Sequence, residues 1–291
     1  MSTATYLERL GARTAASATV LCLGVDPDPA SLPHGFSSDL AGVERFVEVL
    51  LDAALARVAA VKPNLAFFEA FGSQGIAALE RLRTRIPPDV PVVVDAKRGD
   101  IGSTAARQAV ALFDRLGADA VTVSPYLGSE AIAPLLERAG RFAYVLCRTS
   151  NPGAGELQDL QVAADGEATW PEEPLHVRVA RRVRLWNERY GTVGLVVGAT
   201  APRELAVLRG VAPDLAFLVP GVGAQGGDSD AALTSGRAIS GDAGSRAGAG
   251  LLVNVSRGIA GASQGAGDPA EAIAAAADEW ARRLPVLQSR P

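Results

Sequence analysis

The chain has 291 residues, of which 48 % are apolar and 21 % charged, and its net charge is −4. That supplies a large core and leaves no basic footprint for nucleic acid. No apolar run reaches the about eighteen residues that span a bilayer, and the start, MSTATYLERLGARTAAS, lacks an apolar h-region followed by a cleavage site, so it reads as a short amphipathic helix rather than a signal peptide.

Eight near-continuous apolar runs follow: VLCLGVD (20–26), VAAVKP (58–63), VPVVVDAK (90–97), ADAVTVSP (118–125), FAYVLCRTS (142–150), VGLVVGAT (193–200), LAFLVPG (215–221) and LLVNVSRG (251–258). Such runs are expected of parallel strands buried on both faces. Between them lie helical segments, among them VERFVEVLLDAALARV, STAARQAVALFDRLG, SEAIAPLLERAG, PLHVRVARRVRLWNERYG and DPAEAIAAAADEWARRL. Ser103 or Thr104 is placed to cap the second of these, Ser129 the third, and Asp268-Pro269 opens the last. Gly117, Gly140 and Gly191 stand just past helix ends, where a left-handed residue is favoured. The alternation predicts one α/β domain over residues 1–291, a single (β/α)8 TIM barrel, with an open doubly wound sheet as the other solution. Extended loops are expected at about 151–173, 222–230 and 240–250, as lids or binding loops or, for the last, a tolerated surface insertion.

Cys22 and Cys147 each sit inside an apolar run and read as small buried hydrophobes. They make no disulfide framework, which points to a reducing, cytoplasmic setting. His34 and His176 lack metal-ligand spacing.

Polar residues collect at the C-terminal ends of the runs: Asp26, Lys62, Asp95 with Lys97, Ser124, Thr149 with Ser150, and Arg257. In a barrel that end carries the active site. Asp95 and Lys97 are two apart on a strand and so share a side. Lys62 and Asp26 on flanking strands can join them in an alternating array of acid, lysine, acid, lysine. A lysine among carboxylates keeps its charge and is a candidate proton donor; a structural ion-pair network is the other reading of the same spacing. GVGAQG (221–226) matches G-x-G-x-x-G literally, but it follows the seventh run rather than the first, and no acid ends the next. A phosphate site is the better account: glycines admit backbone N–H groups to an anion, Gln225 can donate its amide and Arg257 can clamp it.

Taken together, these residues resemble the orotidine 5′-phosphate decarboxylase family. DAKRGD fits its Asp-x-Lys-x-x-Asp signature, Asp26 in LGVD resembles its first-strand aspartate, and Lys62 in VKPN its second-strand lysine. TSNPGA (149–154) is similar to the pyrimidine-contacting loop, with Ser150 as its serine. VPGVGAQGGD (219–228), including Pro220 and Gln225, is close to the phosphate loop, and SRGI (256–259) to the arginine segment around Arg257. The long segment after the fifth run and the form DAKRGDIGSTA resemble the longer bacterial branch. The resemblance implies conversion of orotidine 5′-monophosphate to uridine 5′-monophosphate and carbon dioxide, a carbon–carbon lyase step in pyrimidine and UMP biosynthesis, without metal or organic cofactor. It implies Lys97 as proton donor, with Asp95, Asp100 and Lys62 as its catalytic companions. It further implies a homodimer with shared active sites, in which Asp100, Ile101 and Thr104 enter the partner's site. Two rivals use the same residues: a magnesium-dependent sugar-phosphate decarboxylase or synthase of this superfamily, and a non-catalytic phosphate-binding barrel. The first needs a metal-binding glutamate near the end of the second run, where Lys62-Pro63-Asn64 stands and Glu69 lies several residues on.

Overall fold

The computed structural model describes residues 4–164, 166, 169–223 and 226–287. Each of the eight apolar runs contains a strand: β1 (Leu21–Val25), β2 (Ala60–Pro63), β3 (Val93–Arg98), β4 (Ala120–Val123), β5 (Phe142–Arg148), β6 (Val193–Val197), β7 (Phe217–Val219) and β8 (Leu251–Val255). They form one parallel sheet in the order β2-β1-β8-β7-β6-β5-β4-β3. Its two ends meet through parallel bridges between Val61 and Val92 and between Asn64 and Asp95, so the sheet is a nearly closed barrel and not an open one. The residues of β1, β2, β4, β6, β7 and β8 are all buried, as strands with helices outside and side chains within must be.

The helices stand where the sequence puts them, with shifted ends, except that the segment 129–140 forms only the single helical turn Ala133–Leu136. Helix α1 (Tyr6–Ser17) is locked at its start by a reciprocal Thr5–Glu8 capping box. Helices α2 (Leu40–Ala54), α3 (Gly72–Arg85), α4 (Gly102–Ala109), α5 (Ala133–Leu136), α6 (Leu175–Tyr190), α7 (Pro202–Val211), α8 (Ser229–Ser235) and α9 (Pro269–Arg283) follow in chain order. Asp268 caps α9 through the Ala270 and Glu271 N–H groups, as expected. Ser103 and Thr104 do not cap α4: the helix begins at Gly102, so both hydroxyls fall inside its first turn and Ile101 holds the cap position. Ser129 acts through its carbonyl rather than its hydroxyl, accepting from Ile132 and Ala133. Gly117, Gly140 and Gly191 adopt φ of +72°, +71° and +67°. The segment after β5 carries a two-stranded antiparallel pair, Gln161–Val162 with Glu173–Pro174. No helix among the described residues is long and apolar enough to cross a membrane.

Two layers of core result. Between strands and outer helices, residues such as Val47, Leu51, Phe68, Leu82, Phe113 and Leu205 are buried against the outward faces of the strands. Inside the barrel, α1 closes the N-terminal end. Tyr6, Leu7 and Leu10 pack with the inward residues Cys22, Val93, Phe142, Tyr144 and Leu252. The Tyr6 ring stacks on Phe142 at 4.9 Å, and its hydroxyl meets that of Tyr144 at 3.1 Å. That end is therefore plugged, while the C-terminal mouth of the barrel holds an open cavity.

Candidate active site

The mouth is built around Asp95. Strand β3 leaves regular pairing here: Val94 pairs with Val121, the next pair is Arg98 with Val123, and Asp95, Ala96 and Lys97 face Thr122 alone. Lys97 takes φ of +48°, a left-handed conformation unusual for a lysine. Asp95 and Lys97 do meet, Nζ to Oδ1 at 2.6 Å. They do so through this bulge and not through the plain two-residue alternation that the spacing predicts.

The other carboxylate oxygen of Asp95 accepts from Lys62 Nζ at 2.8 Å, and Thr122 donates to Oδ1 at 2.8 Å. Lys62 is 4 % exposed. Burial works against its charge, but Asp95 and then Asp26 outweigh that penalty and raise its pKa above the ordinary lysine value. Burial likewise opposes ionisation of Asp95, and Lys62 and Lys97 override it, holding the carboxyl well below the usual carboxylate range. All three contacts of Asp95 are donors, so it stands as a carboxylate. Asp26 at the end of β1 completes the array, held by Asn64 Nδ2 at 2.9 Å from Oδ1. The alternating acid–lysine array expected from the sequence is thus assembled.

These groups line a cavity of about 600 Å³. Asp26, Lys62, Asp95 and Lys97 share its lining with Thr149, Ser150, Pro220, Gly221, Val222 and Arg257. The Ser150 loop lies tight against β6: a Cβ on Gly198 would come within 2.8 Å of Ser150 N, so only glycine allows this approach. Gly221 and Gly223 in the loop after β7 adopt φ of +96° and +82°. The chain can therefore turn there and present N–H groups to an anion. Arg257 is exposed and forms no ion pair among the described residues, so its guanidinium is free for an incoming anion. Gln225 lies outside the described residues.

Asp100, Ile101 and Thr104 do not line this cavity. Asp100 turns its carboxylate back to the Ile101 N–H at 2.7 Å, and Ile101 is 68 % exposed. Glu69 is ion-paired with Arg98. Among the described residues no three His, Cys, Asp or Glu side chains gather as a metal-ligand group. Cys22 and Cys147 are free and buried, and burial pushes the Cys22 thiol up to about 12.

Among the polar cavity residues that sequence reasoning did not assign to the site are Asn64, Thr122 and Asn254. The signal for the last two was there, since each is one polar residue in an otherwise apolar buried strand, AVTV and LLVNV.

A (β/α)8 barrel with one end plugged, and with a lysine–aspartate–lysine array, a glycine-turned segment and an arginine unpaired among the described residues lining the cavity at its mouth, has the make-up of a barrel enzyme. Comparison with known proteins narrows the class. Residues 19–276 match the family described as orotidine 5′-phosphate decarboxylase / HUMPS, and the chain belongs to it. It is 49 % identical over 254 residues to the orotidine 5′-phosphate decarboxylase of Thermomicrobium roseum, covering 87 % of this chain and 86 % of that one. It is 49 % identical over 265 residues to that of Roseiflexus castenholzii, covering 91 % and 90 %. Among solved structures, Leishmania donovani OMP decarboxylase superposes with a TM-score of 0.78 at 38 % identity, over 96 % of this chain and 97 % of that one. Leishmania donovani UMP synthase gives a TM-score of 0.80 at 41 % identity; there 96 % of this chain matches 56 % of the longer protein.

Proposed function

We propose that this chain decarboxylates orotidine 5′-monophosphate to uridine 5′-monophosphate, with Lys97 as the proton donor. One observation carries the reading: an ionised aspartate pinned between two lysines in a cavity that is also lined by the glycine-turned segment 220–222 and by Arg257. Loss of carbon dioxide breaks the bond between the carboxyl carbon and ring carbon 6 and leaves the electron pair on that carbon. Lys97 offsets the charge and delivers its proton there. Asp95 keeps Lys97 protonated and aimed, and Lys62 holds Asp95. Asp26 and Ser150 bind sugar and ring, while Pro220, Gln225 and Arg257 take the remote phosphate. Binding energy from that phosphate can orient the ring over Lys97. The paired lone pairs of Asp95 and the engagement of Glu69 with Arg98 leave little for a magnesium ion to bind, which weighs against the metal-dependent relatives.

The reading includes a homodimer. Ile101 at 68 %, Tyr126 at 85 % and Leu127 at 54 % exposed are large apolar side chains on the loops after β3 and β4. A second copy seated there would bury them and carry Asp100, Ile101 and Thr104 into its partner's cavity by two-fold exchange. The reading also takes the chain as a single domain acting in the cytoplasm, where buried free thiols persist. The test is loss of pyrimidine absorbance when purified protein meets orotidine 5′-monophosphate in EDTA. Turnover is expected; no turnover, or turnover only when magnesium is restored, overturns the reading.

A further inference from the structure

The β3–β4 register breaks where Lys97 stands, and three residues face Thr122 alone. A ladder cannot pair three residues with one, so the spare backbone N–H groups need another acceptor. Thr122 Oγ1 is that acceptor: the N–H groups of Ala96 and Lys97 each donate to it at 3.0 Å. A hydroxyl has two lone pairs and one proton. Both lone pairs face groups that can only donate, so the proton has one direction left, and Asp95 Oδ1 stands there at 2.8 Å. The residue is 2 % exposed, which leaves little room for water to take over either role.

We infer that Thr122 is a positioning residue for decarboxylation. Its hydroxyl fastens the bulge that returns Lys97 over Asp95, and it orients the carboxylate so that Oδ1 serves Lys97 while Oδ2 serves Lys62. The inference rests on Lys97 being the proton donor. Valine has the shape of threonine but neither acceptor nor proton, so it removes all three bonds with little change in volume. Serine keeps them.

The experiment compares Thr122→Val, Thr122→Ser, Thr122→Cys and Lys97→Ala for kcat and KM with orotidine 5′-monophosphate, and for Kd with uridine 5′-monophosphate. Thr122→Val is expected to lower kcat by about a hundredfold, the scale of a small misplacement of a reacting group. The product Kd should stay within about threefold, because the phosphate and ring contacts are untouched. Thr122→Ser should restore kcat to within about threefold of wild type on the same argument. A kcat unchanged by valine, a loss of kcat and product binding in parallel, or a serine variant no better than valine would each overturn the role. Should the valine variant fail to fold, Thr122→Cys, near in size and a weak donor, is read by the same split of kcat against Kd. Lys97→Ala separates the two levels. If it still turns over, the reading of Lys97 fails whatever Thr122 does. If it is inactive while Thr122→Val keeps its kcat, only the role of Thr122 fails.

Discussion

Each end of the barrel buries an aspartate among cations, yet the two clusters are built from different residues. At the plugged end Asp119, 3 % exposed, takes Arg9 at 2.6 Å, Arg141 at 3.2 Å and Arg83 at 3.8 Å, and accepts the Val92 N–H at 2.8 Å. Each arginine also grips backbone carbonyls: Arg9 that of Gly140, Arg83 those of Gly117 and Ile86, Arg141 that of Ala118. At the mouth Asp95 takes two lysines and a threonine. A guanidinium is a rigid fork whose donors can hold several partners and which does not give up its proton. An ammonium is a point charge on a flexible stem that can. Under the proposed function, the same carboxylate chemistry serves architecture at one end and a proton-transfer array at the other. The mouth also carries a backbone feature of its own, the break in β3–β4 pairing at a left-handed Lys97.

Substitutions can break that comparison. The largest effect is expected from Lys97→Ala, which should lower kcat by several orders of magnitude while the circular dichroism spectrum stays native, since charge stabilisation and proton delivery are lost together. A variant keeping more than about a tenth of wild-type kcat, a difference of only about 1.4 kcal/mol, would place Lys97 with the architectural cations.

Arg257→Ala comes next. It should cut kcat/KM for the nucleotide by about a hundredfold and barely change the poorer reaction of orotidine, which has no phosphate to hold. Equal losses with both substrates would show that Arg257 serves structure instead.

Mixing tests whether the mouth is shared. Lys97→Ala and Asp100→Ala proteins, each nearly inactive, should regain roughly a quarter of wild-type sites when refolded together, because half the dimers are mixed and each mixed dimer has one intact site. No recovery from a mixture verified to contain hybrids rules out the exchange.

At the other end Asp119→Ala should leave kcat per folded molecule unchanged. It should cost about 2 kcal/mol of stability, because the buried Val92 N–H loses its acceptor while the half-exposed arginines can turn to water. A fall in kcat without a fall in the melting temperature would contradict the division of labour.

The smallest effect is a flat line. The depressed pKa of Asp95 means its contribution to stability is present above the unfolded carboxylate value of about 3.9 and lost as pH falls through the folded value. The raised pKa of Lys62 means its contribution is present below the unfolded lysine value of about 10.4 and lost as pH rises through the folded one. Between about pH 5 and 9 the pair should therefore add no slope to a denaturant-stability profile. A slope in that window that vanishes in Asp95→Asn would refute the assigned charges.

Much of this protein is local and therefore legible in the chain. Eight apolar runs separated by helix-length segments dictate a parallel sheet, because β1 or β6 buried on both faces has no other use for so many valines and leucines. The DAKRGD and VPGVGAQGGD stretches and Arg257 mark the mouth because charge and glycine at strand ends have no place in the core. Where the chain turns and what crosses between strands are not local. That α1 plugs the barrel through Tyr6, that β2 and β3 close it through bridges at Val92 and Asp95, and that Gly198 yields to Ser150 depend on elements brought together from distant parts of the chain. The Lys97 bulge is the clearest case: the spacing of Asp95 and Lys97 predicted their meeting, but a threonine 25 residues further on accepts the unpaired N–H groups and sets the geometry of that meeting. Periodicity reports which residues face inward; only the folded sheet decides which hydroxyl stands opposite a break in its ladder.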